Sequence, residues 1–167
     1  MIGFRTKLDI PVADRKLGHQ HRVLLIGSCF SESIGQKLLA DGFQVMINPF
    51  GVLYNPVSIA DNLQLLLDNQ IHTTDEIRSE RGIFYHFNYH SSFSGEKRDE
   101  VLEQINRQLT VGRDFIKQTD YLIITLGSAF TYHHFSRPEA VANCHKIPDK
   151  EFTVRMLTQS EIGRAHV

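Results

Sequence analysis

The stretch VLLIGSCFSESIGQKLLADGF, residues 23–43, constrains the fold more than any other part of the chain. Four apolar residues, Val23 to Ile26, form a short continuous run of the kind that serves as a parallel strand buried on both faces. Gly27 breaks the run, and residues 31–41 then place Ile34, Leu38 and Leu39 at helical spacing, with Gly42 as the stop. This is a strand, a tight turn and a helix, and it implies a parallel sheet with helices packed on it. Ser28 and Cys29 sit side by side on the turn.

The same alternation continues along the chain. Residues 4–10 alternate apolar and polar and suit an edge strand ended by Pro11, and residues 43–47 give a second strand after the first helix. NPFGVLYNP (48–56) carries two Asn-Pro pairs around Gly51 and reads as a loop, with Asn55 capping a helix over 56–69 that places Ile59, Leu63, Leu66 and Leu67 on one side. Residues 83–89 suit a strand or hairpin arm, and 100–117 an amphipathic helix with Val101, Ile105 and Leu109. Residues 121–126 (YLIITL) are the clearest strand and are expected at the centre of the sheet, ending at Gly127-Ser128. The expected fold is α/β, a doubly wound parallel sheet.

Composition narrows the function classes. Lys plus Arg number 18 against 19 Asp plus Glu, so no basic excess draws the chain to nucleic acid or anionic lipid. Two cysteines, Cys29 and Cys144, are too few for a secreted disulfide framework, and nothing reads as a signal peptide or a membrane span. A cytoplasmic location is expected. The last seven residues, 161–167 (EIGRAHV), read as the translation of a sequencing adaptor, the other reading being a genuine polar tail.

In open parallel sheets, ligands collect beyond the carboxyl ends of the strands. Gly27-Ser28, the Gly51 loop and Gly127-Ser128 each follow a strand and should meet at one edge. Ser28 at a helix start, where free N–H groups favour an oxyanion, suits acyl transfer; it also suits a plain N-cap. Cys29 could be a reactive thiol or a buried apolar group. His90 and His145 lie in loops that could approach the crevice, while His133 and His134 would point to opposite faces of a strand and are not expected to share a metal. No metal site and no cofactor are expected.

Four ordered blocks, GSCFS (27–31), NPFGVLYNP (48–56), TLGSAF (125–130) and VANCHK (141–146), resemble the GSCFA family, which looks like a distant branch of the SGNH (GDSL-like) hydrolase superfamily. Ser31 stands where the family name has alanine. The resemblance covers residues 4–160 and implies a three-layer SGNH-like fold in a bacterial protein, incomplete at its C-terminus. It implies Ser28 as nucleophile, with its own N–H and that of Gly51 in the oxyanion hole. In the third block the superfamily presents Gly-x-Asn; here Gly127-Ser128-Ala129 has no asparagine, so Ser128 or a backbone amide must substitute. The general base comes from a late Asp-x-x-His block that this chain does not reach, so the chain as given is expected to be inactive.

The expected activity is therefore that of an ester hydrolase or acyltransferase acting on a small-molecule or carbohydrate acyl ester. The alternative is a non-catalytic module that binds a ligand with Asn143, His145, His90 and the glycine loops. No nucleic acid or membrane partner is expected.

Overall fold

The computed structural model describes residues 11–164; the strand expected over 4–10 lies outside them. Strand β1 (Arg22–Gly27) is the axis of the molecule: Val23, Leu24, Leu25 and Ile26 are each fully buried. It pairs in parallel with β2 (Gln44–Ile47) on one side and with β5 (Tyr121–Thr125) on the other. A strand with neighbours on both edges and helices on both faces has no position for a polar side chain, which accounts for its unbroken apolar run.

Helix α1 (Cys29–Ala40) packs on one face, against β1, β2 and β5. Gly35 lets it lie close, since a Cβ there would stand 2.6 Å from Ile47 Cγ1. The helix ends in a Schellman arrangement: the Gly42 N–H donates to Leu39 O (3.1 Å) and the Phe43 N–H to Leu38 O (3.0 Å). Helices α2 (Pro56–Leu67) and α3 (Arg98–Ile116) cover the other face, where Leu24 and Ile26 meet Ile59, Leu66, Val101, Ile105 and Leu109. Asn55 caps α2 as expected, its Oδ1 accepting from the Ser58 N–H at 2.8 Å. Leu67, expected on the packed side of α2, is instead 67% exposed, at the last residue of the helix.

Two features correct the all-parallel expectation. Among the described residues the parallel sheet has the order β2-β1-β5, so β5 is an edge strand and not the central one, and its Leu122 is 45% exposed. Beyond β5 the chain builds antiparallel structure: β6 (Phe130–His134) pairs with β7 (Ala140–Val141) and β8 (Phe152–Met156) in the order β7-β6-β8. The short connection 135–139 allows a hairpin and not a crossover. A second hairpin joins β3 (Arg78–Glu80) to β4 (Ile83–Tyr85) through Arg81 and Gly82, both at positive φ as its tight turn requires.

A final short helix, α4 (Gln159–Arg164), follows β8; Glu161 within it accepts from Arg155 at 2.5 Å and from the Thr158 N–H at 2.8 Å. Glu161, the first residue of the segment that reads as an adaptor translation, is thus tied to β8. No helix among the described residues is long and apolar enough to cross a membrane.

The layout predicts a contrast between two leucines in register, Leu24 and Leu122. Leu24→Ala should cost about 3 kcal/mol through lost burial and the cavity left behind, and Leu122→Ala under about 1 kcal/mol. Urea unfolding of the two variants checks this.

Candidate active site at the carboxyl edge of the parallel sheet

The turn after β1 is shaped by one close approach. Gly27 has φ +136°, and a Cβ there would stand 2.1 Å from Thr125 O, so only glycine lets β1 and β5 end this near each other. Asn48, at the end of β2, pins the turn from the other side: its Oδ1 accepts from the Gly27 N–H (2.9 Å) and its Nδ2 donates to Glu32 Oε2 (3.2 Å). Asn48 itself lies at φ +42°, a region that asparagine tolerates better than most residues. The carboxyl ends of the three strands therefore lie side by side, as their sequence positions imply.

Ser28 caps α1 from this turn. Its Oγ accepts from the Phe30 N–H at 3.3 Å and lies 3.0 Å from Thr125 Oγ1, which in turn lies 2.8 Å from Ser31 Oγ. Thr125 Oγ1 also accepts from the Ser28 N–H at 3.0 Å. Thr125, the first residue of the TLGSAF block, is a hub whose role no sequence pattern assigns, because its partners Ser28 and Ser31 are distant along the chain. No histidine is among the partners of the Ser28 hydroxyl within the described residues. Both serines are buried, Ser28 at 7% exposure.

The other expected residues divide between two places. Gly127 packs against Ser28: a Cβ on it would stand 3.1 Å from Ser28 Cβ and 2.8 Å from the Tyr54 ring. Beside it, a cavity of about 280 Å³ is lined by Ser128 and Asn143 together with Tyr54, Phe130 and Tyr132. Gly51 sits instead against His90, with a Cβ position 2.2 Å from His90 Cβ, and its φ of +78° makes glycine the fitting residue twice over. His145 faces a separate cavity of about 410 Å³ with Ser91, Ser94 and Tyr85. The structure brings Ser128 and Asn143 together; the His145 N–H donates to Asn143 Oδ1 (2.8 Å), while the His145 ring faces the other cavity.

The backbone donors named from sequence are engaged. The Ser28 N–H meets Thr125 O at 3.0 Å, the Gly51 N–H meets Asn48 O at 2.8 Å, and the Gly127 and Ser128 N–H groups share Tyr54 O at 2.8 and 2.9 Å. In the first turn of α1, Phe30 and Ser31 donate back to Ser28, which leaves the Cys29 N–H as the orphan donor at the helix start. Cys29 is exposed, and both cysteines are free. Burial pushes the Cys144 thiol up to about 11, so it is protonated and inert at neutral pH.

His145 is held neutral. Its Nε2–H donates to His86 O (3.0 Å), its Nδ1 accepts from the Ser94 hydroxyl (3.2 Å), and its ring stacks on Tyr85 at 4.5 Å. Burial, opposed in part by the His86 carbonyl, lowers its pKa from 6.5 to about 4. That is the signature of a structural histidine, and the left-handed conformations of His145 and Lys146 fit a loop folded to seat this ring. The only set among the described residues with the spacing of metal ligands is a different one, His72, Glu76 and His86.

A parallel sheet flanked by helices, with a serine capping the helix after its central strand, defines a mixed α/β protein whose polar residues converge on the carboxyl edge. The chain belongs to the GSCFA family, whose model matches residues 22–166. No curated protein and no solved structure matches it.

The buried histidines set an acid limit on stability. Desolvation holds the pKa of both His145 and His86 below the usual histidine value in the folded chain. The unfolded chain therefore takes up protons first as pH falls through about 6.5, and stability is lost from there down to about 4, where folded His145 titrates. His145 accounts for at most about 3 kcal/mol of this, less where water reaches the ring. Urea midpoints between pH 7.5 and 4 should fall for the wild type, and His145→Gln should flatten part of that fall.

Proposed function

We propose that this chain carries the nucleophile of an SGNH-like ester hydrolase or acyltransferase, and that the nucleophile is Ser28. The observation that carries the reading is the placement of Ser28: a hydroxyl at the start of a helix, at the carboxyl end of the central parallel strand, with Gly127 against its Cβ and the Ser128–Asn143 cavity next to it. The helices on both faces of the sheet agree with a three-layer arrangement of the SGNH kind.

In this reading Ser28 Oγ attacks the carbonyl carbon of an acyl ester. The tetrahedral oxygen develops its charge near the amino end of α1, where the Cys29 N–H and the helix dipole favour it. The alcohol leaves with a proton, and water or a second alcohol later takes the acyl group. A base must remove the Ser28 proton in the first step. Thr125 cannot do so, because a neutral hydroxyl orients but does not retain a proton; the base is supplied from outside the described residues. The apolar and aromatic lining of the neighbouring cavity, Tyr54, Phe130 and Tyr132, suits the substrate of a small-molecule or carbohydrate ester.

A second reading, a ligand-binding module without turnover, is favoured by the engaged N–H groups of Gly51, Gly127 and Ser128 and by the absence of histidine beside Ser28 among the described residues. The two readings separate by experiment. The chain alone should hydrolyse short-chain p-nitrophenyl esters no faster than background. Added imidazole, standing in for the base, should raise the rate above that of imidazole alone, and Ser28→Ala should abolish the increment while Cys29→Ala leaves it in place. An increment that survives Ser28→Ala defeats the nucleophile assignment. Saturable ester binding with no increment at all favours the binding module.

A further inference from the structure

We propose that His72, Glu76 and His86 form a binding site for a divalent transition-metal cation of the Zn²⁺ class, away from Ser28 and independent of the serine chemistry. His72 and His86 are each 5% exposed, and the ligand atoms of the three residues lie within 4.8 Å of one another. The site joins distant parts of the chain. His72 and Glu76 flank the short 3-10 turn after α2, and His86 follows β4.

Two of the three ligands are oriented by a second contact. The main chain of His72 is clamped to Asn106 of α3, its N–H donating to Oδ1 (2.8 Å) and its carbonyl accepting from Nδ2 (3.0 Å). Its ring is fixed from behind by the Tyr89 hydroxyl, 3.0 Å from Nε2, which leaves Nδ1 facing the site. Glu76 receives the Thr73 N–H on Oε2 at 2.7 Å, which aims Oε1 at the two rings. Metal-ligating histidines and carboxylates characteristically have such outer partners.

The gap between the ligands is the second observation. His72 Nδ1 lies 2.9 Å from Glu76 Oε1, but His86 Nε2 lies 3.9 Å from it, beyond ordinary hydrogen-bond length. A ring more than nine-tenths buried thus aims a nitrogen into a space bounded by a carboxylate and a second imidazole. A cation at about 2.0–2.2 Å from each ligand would close that space with small shifts of the side chains. Two imidazoles and one carboxylate suit Zn²⁺, Co²⁺ or Ni²⁺, whereas Mg²⁺ and Ca²⁺ call for oxygen ligands throughout. Glu76, 45% exposed, gives the ion its path and leaves the outer side of the site open to water.

Burial lowers the pKa of His86, and the facing His86 imidazole does most to lower that of Glu76, with the Thr73 N–H and His72 adding to it. Two contacts must yield, the first being the 2.9 Å contact of His72 Nδ1 with Glu76 Oε1, which opens when a cation takes both atoms. The Asn88 N–H donates to His86 Nδ1 at 3.1 Å, which places the ring proton on Nε2 in the free chain. Metal at Nε2 moves that proton to Nδ1, so the Asn88 amide must turn away.

The test uses the full chain stripped with EDTA and titrated with Zn²⁺ by calorimetry, then with Co²⁺ by visible absorption. One equivalent should bind saturably, the melting temperature should rise, and Co²⁺ should show ligand-field bands of a low-coordinate nitrogen and oxygen site. Glu76→Gln should weaken binding at least tenfold, while His133→Gln should leave it unchanged. Should Glu76→Gln fail to fold, ¹⁵N spectra of the wild type decide: metal must shift the ring signals of His72 and His86 and the amide of Asn88. Absence of saturable binding, binding undiminished in folded Glu76→Gln, or shifts confined to other histidines would overturn the proposal.

Discussion

The meeting of Gly27 with Thr125 governs everything at the carboxyl edge. The absent side chain at Gly27 lets the ends of β1 and β5 touch, and that contact delivers Thr125 Oγ1 to Ser28 and Ser31. Asn48 then ties the end of β2 to the same turn, and through Glu32 to the first turn of α1. A side chain at position 27 would push the strands apart, uncap α1 and separate the hydroxyls in a single step. A short glycine-serine turn can hold the Ser28 hydroxyl steadily because three strand ends and a helix start are all fastened to it.

Much of this was legible in the amino-acid sequence where one physical rule acts alone. Val23–Ile26 had to be a buried strand because nothing polar interrupts it, and Gly42 and Asn55 announced helix boundaries through backbone geometry and capping. Legibility failed where a residue's role depends on its neighbours in space. YLIITL is as apolar as a central strand, yet among the described residues β5 lies at the edge, because pairing is decided by how distant segments meet. The antiparallel sheet was hidden in segments whose alternation is broken by histidines and prolines. Thr125 and Tyr54 lie inside the quoted blocks TLGSAF and NPFGVLYNP, yet their contacts with Ser28 and Gly127 depend on segments distant in sequence meeting at the sheet edge, which spacing does not show.

The serine and histidine sites illustrate two ways of burying polar groups. At Ser28 the N–H groups of the turn and loops are consumed by backbone carbonyls. Around His72, His86 and Glu76, the carboxylate meets one ring at hydrogen-bond distance and faces the other across a wider gap. The first arrangement spends its donors on architecture. The second leaves a buried imidazole nitrogen short of a full hydrogen bond, which is a costly state for a buried polar group.

The hydroxyl trio at the end of β5 has a consequence in the counting of protons. Thr125 Oγ1 owns one proton and two lone pairs, and one lone pair is taken by the Ser28 N–H. With both serine contacts made as hydrogen bonds, one serine donates to Thr125 and the other accepts from it, so the two rotors are set in opposite senses. When Ser31 gives its proton, Thr125 passes its own to Ser28, and the Ser28 proton is turned outward; when Ser31 receives, the Ser28 proton is locked inward. The alanine that the family name carries in place of Ser31 has no such rotor. In this chain a residue one helical turn inward therefore holds a parity bit for the hydroxyl at the edge.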